Sequence, residues 1–188
     1  IETNRLKSGS LDAFGEDSAQ RMLASFKQEL KLINHKIKAH LKAHPKLARQ
    51  VQLLRTIKGI GLATAIKIVA ELLDITHFTN ARAVAASAGV TPAWRQSGTS
   101  LNPHPRMSKV GNADFRASLW WPTCVAMRSN PVVKAFANTL RAKKKPGRLI
   151  IVACMHKLLK LAYGVIHTDT PFDPYWGKPL AQHPVAAT

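Results

Sequence analysis

The sequence predicts a mainly α-helical protein, a long amphipathic helix leading into a compact helical domain. Three observations predict it. Apolar residues recur at steps of three and four over long stretches, Pro and Gly punctuate the chain at helix boundaries, and no alternating apolar/polar run of useful length marks a strand. Nearly half of the 188 residues are apolar, enough to bury a core without disulfide or metal staples.

Residues 1–14 are polar, with Gly9 and Ser10, and read as a frayed lead-in. From Asp17 to His44 the apolar positions are Met22, Phe26, Leu30, Ile33, Ile37 and Leu41, spaced 4, 4, 3, 4 and 4. Lys27, Lys31, Lys36, Lys38 and Lys42 lie off that stripe. Such a helix must pack on something, and a coiled coil with a second copy or a neighbouring domain is the expectation. Pro45 is expected to end it, with a short helix over 47–56.

A helix is expected to follow the Gly59-Ile60-Gly61 turn and run to about Leu73. A short one over 80–88 ends at Gly89, a natural left-handed C-terminal position. Residues 90–110 hold Pro92, Gly98, Pro103 and Pro105 and read as a long loop, the kind of segment that carries function. Helices are expected over 113–128, 131–142 and 147–167, with Asn130 and Pro131 as N-cap and first residue of the second. The Pro-rich tail from Thr170 is expected to be loosely held. The division is therefore an arm (1–48), a helical domain (49–174) with a helix-hairpin-helix (57–73) and a loop (90–110), and a tail (175–188).

Charge bounds the function. Lys and Arg number 28 against 10 Asp and Glu, a formal +18. A folded chain with that excess repels itself, so a polyanionic partner is expected, nucleic acid first and an anionic membrane surface second. Leu149 to Ile166 is the most apolar run, but His156, Lys157 and Lys160 interrupt it, so it reads as a buried or half-buried helix and no membrane partner is expected. No signal-peptide pattern opens the chain. Cys124 and Cys154 form no CxxC pair and read as small buried hydrophobes. His35, His40 and His44 are spaced five and four apart, which does not stack three ligands on one helix face, so no metal site is expected.

Three features carry chemistry. The first is Ile57 to Ala65: apolar, x, Gly, apolar, Gly, x, x, Thr, Ala. Gly59 and Gly61 would let backbone approach a phosphate, the following helix start offers free N–H groups near Thr64, and Lys58 adds charge. An ordinary turn between helices is the bland alternative. The second is the stretch from Leu101 to Lys160, with twelve basic residues and Asp114 as its only acid. An ordinary solvated face mixes both signs, so Lys143, Lys144, Lys145 and Arg148 point to nucleic acid. Trp94, Trp120 and Trp121 can stack on bases, although core packing is favoured for the last two. The third is Arg95-Gln96-Ser97-Gly98. A serine beside Gly, between Arg95 and Arg106, can attack phosphorus with cations stabilising the phosphate oxygens; composition alone favours a plain loop serine.

The order "IKGIGLATAIKIVAELLDITHFTNARAVAASAGVTPAWRQSGTS", "RMSKVGNADFRASLW", "KKKPGRLIIVACMHKLLKLAYGVI" and "PFDP" resembles the C-terminal domain of insertion-sequence-110 family transposases and the related Piv/MooV invertases, over about residues 50–174. The helix at 17–44 is similar to the coiled-coil segment before that domain. The resemblance implies that Ser97 attacks a DNA phosphodiester and forms a covalent protein–DNA intermediate. It implies that Arg106, Ser108, Lys109, Gly111 and Arg116 position DNA or a structured noncoding guide RNA, and that the protein works as a homo-oligomer joined through 17–44, in the bacterial cytoplasm at the nucleoid. The family's acidic, divalent-metal (Mg) site belongs to an N-terminal RNase-H-like domain not found among these residues. The expectation is a piece of a longer protein, without cofactor in this chain, that binds nucleic acid and does not recombine DNA alone. The alternative is a non-catalytic helix-hairpin-helix module.

Overall fold

The computed structural model describes residues 12–72, 78–93, 106–108 and 110–175. It is mainly helical and divides into two compact units, residues 1–48 and 49–188.

The first unit is dominated by α1 (Ala13–Ala43), capped at its start by Asp12, whose carboxylate accepts from the Gly15 N–H at 2.8 Å. Four of the six stripe positions, Met22, Phe26, Leu30 and Ile33, are exposed, while Ile37 and Leu41 are half-buried. Helix α2 (Pro45–Arg55) follows after His44, and the boundary between the units falls within it. Pro45 therefore opens a helix as well as closing one. Its missing N–H costs nothing in a first turn, where that donor has no intrahelical acceptor.

In the second unit α2 leads through Ile57 and Ile60, both buried, to α3 (Leu62–Glu71) and then α4 (Ala81–Ser87). Asn80 caps α4 through Arg82 and Ala83 N–H groups at 2.9 and 3.1 Å. Gly89 closes it at φ +66°, with Val90 N–H reaching Ala85 O, a Schellman motif. Strands β1 (Pro92–Ala93) and β2 (Arg106–Met107) form a two-residue antiparallel ribbon, Pro92 opposite Met107 and Ala93 opposite Arg106. The loop expected over 90–110 is thus pinned at both ends.

The single helix expected over 113–128 is two, α5 (Ala113–Ser118) and α6 (Trp120–Ser129). Pro122 explains the break: it has no N–H for the carbonyl four residues back, so the backbone turns at Leu119 and places Pro122 in a first turn. Trp120 is half-buried, but Trp121 is 76% exposed, so core packing is corrected for Trp121. Helix α7 (Pro131–Ala142) starts as the sequence predicts, Asn130 accepting from Val132 and Val133 N–H groups.

Helix α8 (Gly147–Thr168) organises the core. It packs against α4, α6 and α7 and buries Ile150, Cys154, Met155, Leu158, Leu159 and Ala162, among others. It is long and apolar enough to cross a membrane by composition, but those contacts make it the central helix of the domain. Burial pushes the Cys154 thiol up to about 11, against a lowering by Arg141 and a further raising by Cys124, so it stays protonated at neutral pH. Residues 170–175 are tied down, contrary to the loose tail expected from Thr170: Phe172 N–H donates to Thr56 Oγ1 at 2.8 Å, and that hydroxyl donates to Leu53 O. Residues 176–188 lie outside the described residues.

Candidate nucleic-acid interface

The two glycines of the Gly59-Ile60-Gly61 turn do different things. Gly59 has φ +108°, and a Cβ there would sit 2.6 Å from the Ala126 Cβ of α6. It is glycine because the turn is pressed onto a helix. Gly61, at φ −83°, is exposed and has nothing within 4 Å of a Cβ position. It caps α3 without a side-chain bond, and the first intrahelical donor is Ala65, to Gly61 O. The N–H groups of Leu62, Ala63 and Thr64 precede it, so they lack intrahelical acceptors and carry the positive end of the helix dipole. Exposed Lys58 stands beside them in the chain, and Thr64 is half-buried.

Gly111 and Arg116 serve a clip within the domain. Gly111 has φ +118°, and a Cβ would fall 2.0 Å from Ser87 O. Asn112 N–H donates to that same oxygen; its Oδ1 caps α5, and its Nδ2 donates to both oxygens of Glu71, which Lys67 also pairs at 3.1 Å. Arg116 Nη1 donates to Ala88 O at 3.1 Å. The segment after the ribbon is therefore locked to the C-terminal ends of α3 and α4. Ser108 belongs to the same lock, its N–H donating to Thr91 O at 2.9 Å. The sequence assigns these residues to nucleic-acid positioning, and in the structure Gly111, Arg116 and the Ser108 backbone also make contacts within the domain.

Ser97, Arg95, Lys109 and Trp94 lie outside the described residues, as does the side chain of Arg106. The ribbon fixes both ends of the serine-bearing segment, since Ala93 and Arg106 are paired.

The cationic segment is displayed fully. Every residue from Arg141 to Leu149 is exposed, including Lys143, Lys144, Lys145 and Arg148. Lys144 adopts φ +52° at the end of α7, where glycine is usual. Its N–H reaches Arg141 O and the Lys145 N–H reaches Leu140 O, completing a second Schellman motif. A side chain in that left-handed conformation costs on the order of 1 kcal/mol. Lys144→Gly should therefore raise stability by about 0.5–1 kcal/mol in urea unfolding, while weakening any binding that uses the charge. A Gly variant equal to wild type in both would show that neither strain nor charge matters at this position.

Arg148 also lines a cavity of about 550 Å³ that reaches the ribbon, with Pro92 and Met107 on one side and Phe136 and His156 among the other residues. Burial lowers the His156 pKa, and Lys160, Arg82 and Lys157 lower it further, which keeps the ring neutral at neutral pH. Sequence reading missed this cavity and His156, because its walls come from segments far apart in the chain. Among the described residues no cluster of His, Cys, Asp or Glu is placed to hold a metal ion.

Residues 51–138 match the model of the Transposase IS116/IS110/IS902 family. The chain is 32% identical over 142 residues to the pilin gene-inverting protein of Moraxella bovis, covering 75% of this chain and 44% of that protein. The same-named protein of Moraxella lacunata matches to the same extent. An insertion element IS110 43.6 kDa protein of Streptomyces coelicolor is 22% identical over 165 residues, covering 88% of this chain and 39% of that one. These matches support an IS110-family transposase. The chain spans less than half the length of these relatives.

Proposed function

We propose that this chain is the serine-bearing, nucleic-acid-binding domain of a transposase or site-specific DNA recombinase. One observation carries the reading. The family match over 51–138 contains the segment with Ser97, and the ribbon that holds its ends borders the same cavity as Arg148 of the exposed cationic segment.

In the proposed reaction Ser97 Oγ attacks a DNA phosphorus and gives up its proton. The new O–P bond joins protein to one strand. The bond from that phosphorus to the sugar oxygen on the other side of the cut, in the same strand, breaks, and that oxygen takes a proton to become a free hydroxyl. Arg95, Arg106 and Lys109 supply positive charge along the same stretch of chain. Lys143, Lys144, Lys145, Arg148 and the open start of α3 at Gly61 hold phosphates. The relatives' greater length leaves room for the acidic domain that the resemblance implies. Where such a domain binds Mg, the metal supplies charge neutralisation at phosphate, so the isolated chain binds without recombining. A guide RNA choosing the DNA site, and pairing of two copies through the exposed positions of the α1 stripe, complete the proposal. The protein then acts in the bacterial cytoplasm at the nucleoid.

Binding is tested by titrating the chain with DNA and with RNA across a salt series. If the four exposed cations of the 143–148 segment each meet a phosphate, log K falls against log salt with a slope of about −3 to −4. Gly61→Ala should cost no more than about 1 kcal/mol of stability, the difference between Gly and Ala at an N-cap, since φ is ordinary and the space is open, yet weaken binding where phosphate approaches. A chain that binds neither polymer at low salt would overturn the reading.

A further inference from the structure

The strand-joining chemistry makes no use of the cavity beneath the ribbon. Its walls are mostly apolar: Met107 from β2, Phe136 from α7, and Leu149, Val152 and Ala153 from α8. Three polar side chains join them, Thr91, Arg148 and His156. No acidic residue stands among the lining residues described. At about 550 Å³ it lies within the range of small-molecule sites and accommodates one purine or pyrimidine ring system. Arg148 continues the exposed run Lys143, Lys144, Lys145 in the chain, so the phosphates of a bound strand would pass beside the cavity.

We propose that this cavity receives a single unstacked nucleobase of the strand held by the Lys143–Arg148 segment. The inference rests on the nucleic-acid reading above and adds a base-binding site to it. The chemistry of a base matches the lining. Its two faces are flat and apolar, suited to Phe136 and the aliphatic walls, and its edge alternates donors and acceptors. A neutral His156 ring offers one of each, and the surrounding cations Lys160, Arg82 and Lys157 together with burial hold it neutral. Arg148 is a fixed fork of donors that can meet either the base edge or the adjoining phosphate. An unattached apolar ligand would leave these cations without a partner, whereas a nucleotide in a strand satisfies walls and rim together. The cost of unstacking is smallest in a single strand or at a mismatch.

The test uses the whole chain with single-stranded DNA and RNA oligonucleotides in which one position at a time is made abasic. Wild type should lose about tenfold in affinity at one position and little elsewhere, the effect expected for one stacked base. Filling the cavity with Ala153→Phe should remove that penalty, so that intact and abasic strands bind alike. Strands carrying 5-iodouracil at the sensitive position should photocrosslink to peptides holding Met107, Phe136 or His156. This last readout needs only wild type, and Phe136→Leu supplies a second variant should Ala153→Phe not fold. Steep salt-dependent binding with no abasic-sensitive position, and crosslinks elsewhere, would overturn the base site and leave the nucleic-acid reading standing. Absence of binding to every strand at low salt would overturn both.

Discussion

Gly111→Ala is expected to destabilise the helical domain by on the order of 3–5 kcal/mol. Two costs combine. The backbone at φ +118° is one that a residue with a Cβ rarely adopts, and the new Cβ would lie 2.0 Å from Ser87 O, a backbone atom at the end of α4. Nothing flexible can yield there. Relief requires moving the clip, which releases Asn112 from Ser87 and Glu71 and Arg116 from Ala88. Domains have only about 5–15 kcal/mol of stability, so a large share would go. Urea unfolding followed by circular dichroism measures it. An unchanged midpoint would mean that the clip is not needed to hold the domain. Gly59→Ala, which meets Ala126 at 2.6 Å, belongs to the same class.

Ser97→Ala is expected to abolish covalent attachment to DNA while leaving stability and salt-dependent binding unchanged. Removing a nucleophile costs activity by a factor of about 10⁴ or more, because no weaker interaction replaces the bond it forms. The assay supplies the acidic domain of a related transposase and a candidate guide RNA with a nicked suicide substrate, then looks for protein–DNA adducts on a denaturing gel. Loss of the adduct with retained binding assigns the nucleophile. An adduct of undiminished yield would move the chemistry to another residue, Ser100 and Ser108 being neighbours in sequence. Wild-type chain without the acidic domain should bind and give no recombinant product; recombination by that chain alone would overturn the proposed division of labour.

Much of the fold was legible because its signals are local. The Asn130 cap, Pro131 at a helix start and Gly89 at a helix end act within four residues of themselves, and they lie where the sequence predicts. The break at Leu119 was legible in principle from Pro122, but apolar periodicity across 113–128 masked it. Trp121 was misjudged because hydrophobic character says nothing about which side of α6 faces α8.

The sequence by itself determined the helical class, the basic character, and, through the order of its motifs, a family resemblance that the comparisons bear out. These follow from periodicity, composition and residue order, which need no three-dimensional knowledge. Only the tertiary structure decided what each conspicuous residue is used for. Gly59 and Gly61 look alike in the chain, yet one is pressed against Ala126 and the other faces open space. Gly111 and Arg116 look like phosphate ligands in the chain, and packing also sets them against the ends of neighbouring helices. His156 and Phe136 look like ordinary helix residues, yet they line one cavity with the ribbon. The reason is physical. Clashes, hydrogen bonds and burial act between atoms brought together by packing, and residues such as Gly111 and Ser87 meet only when the helices between them have folded.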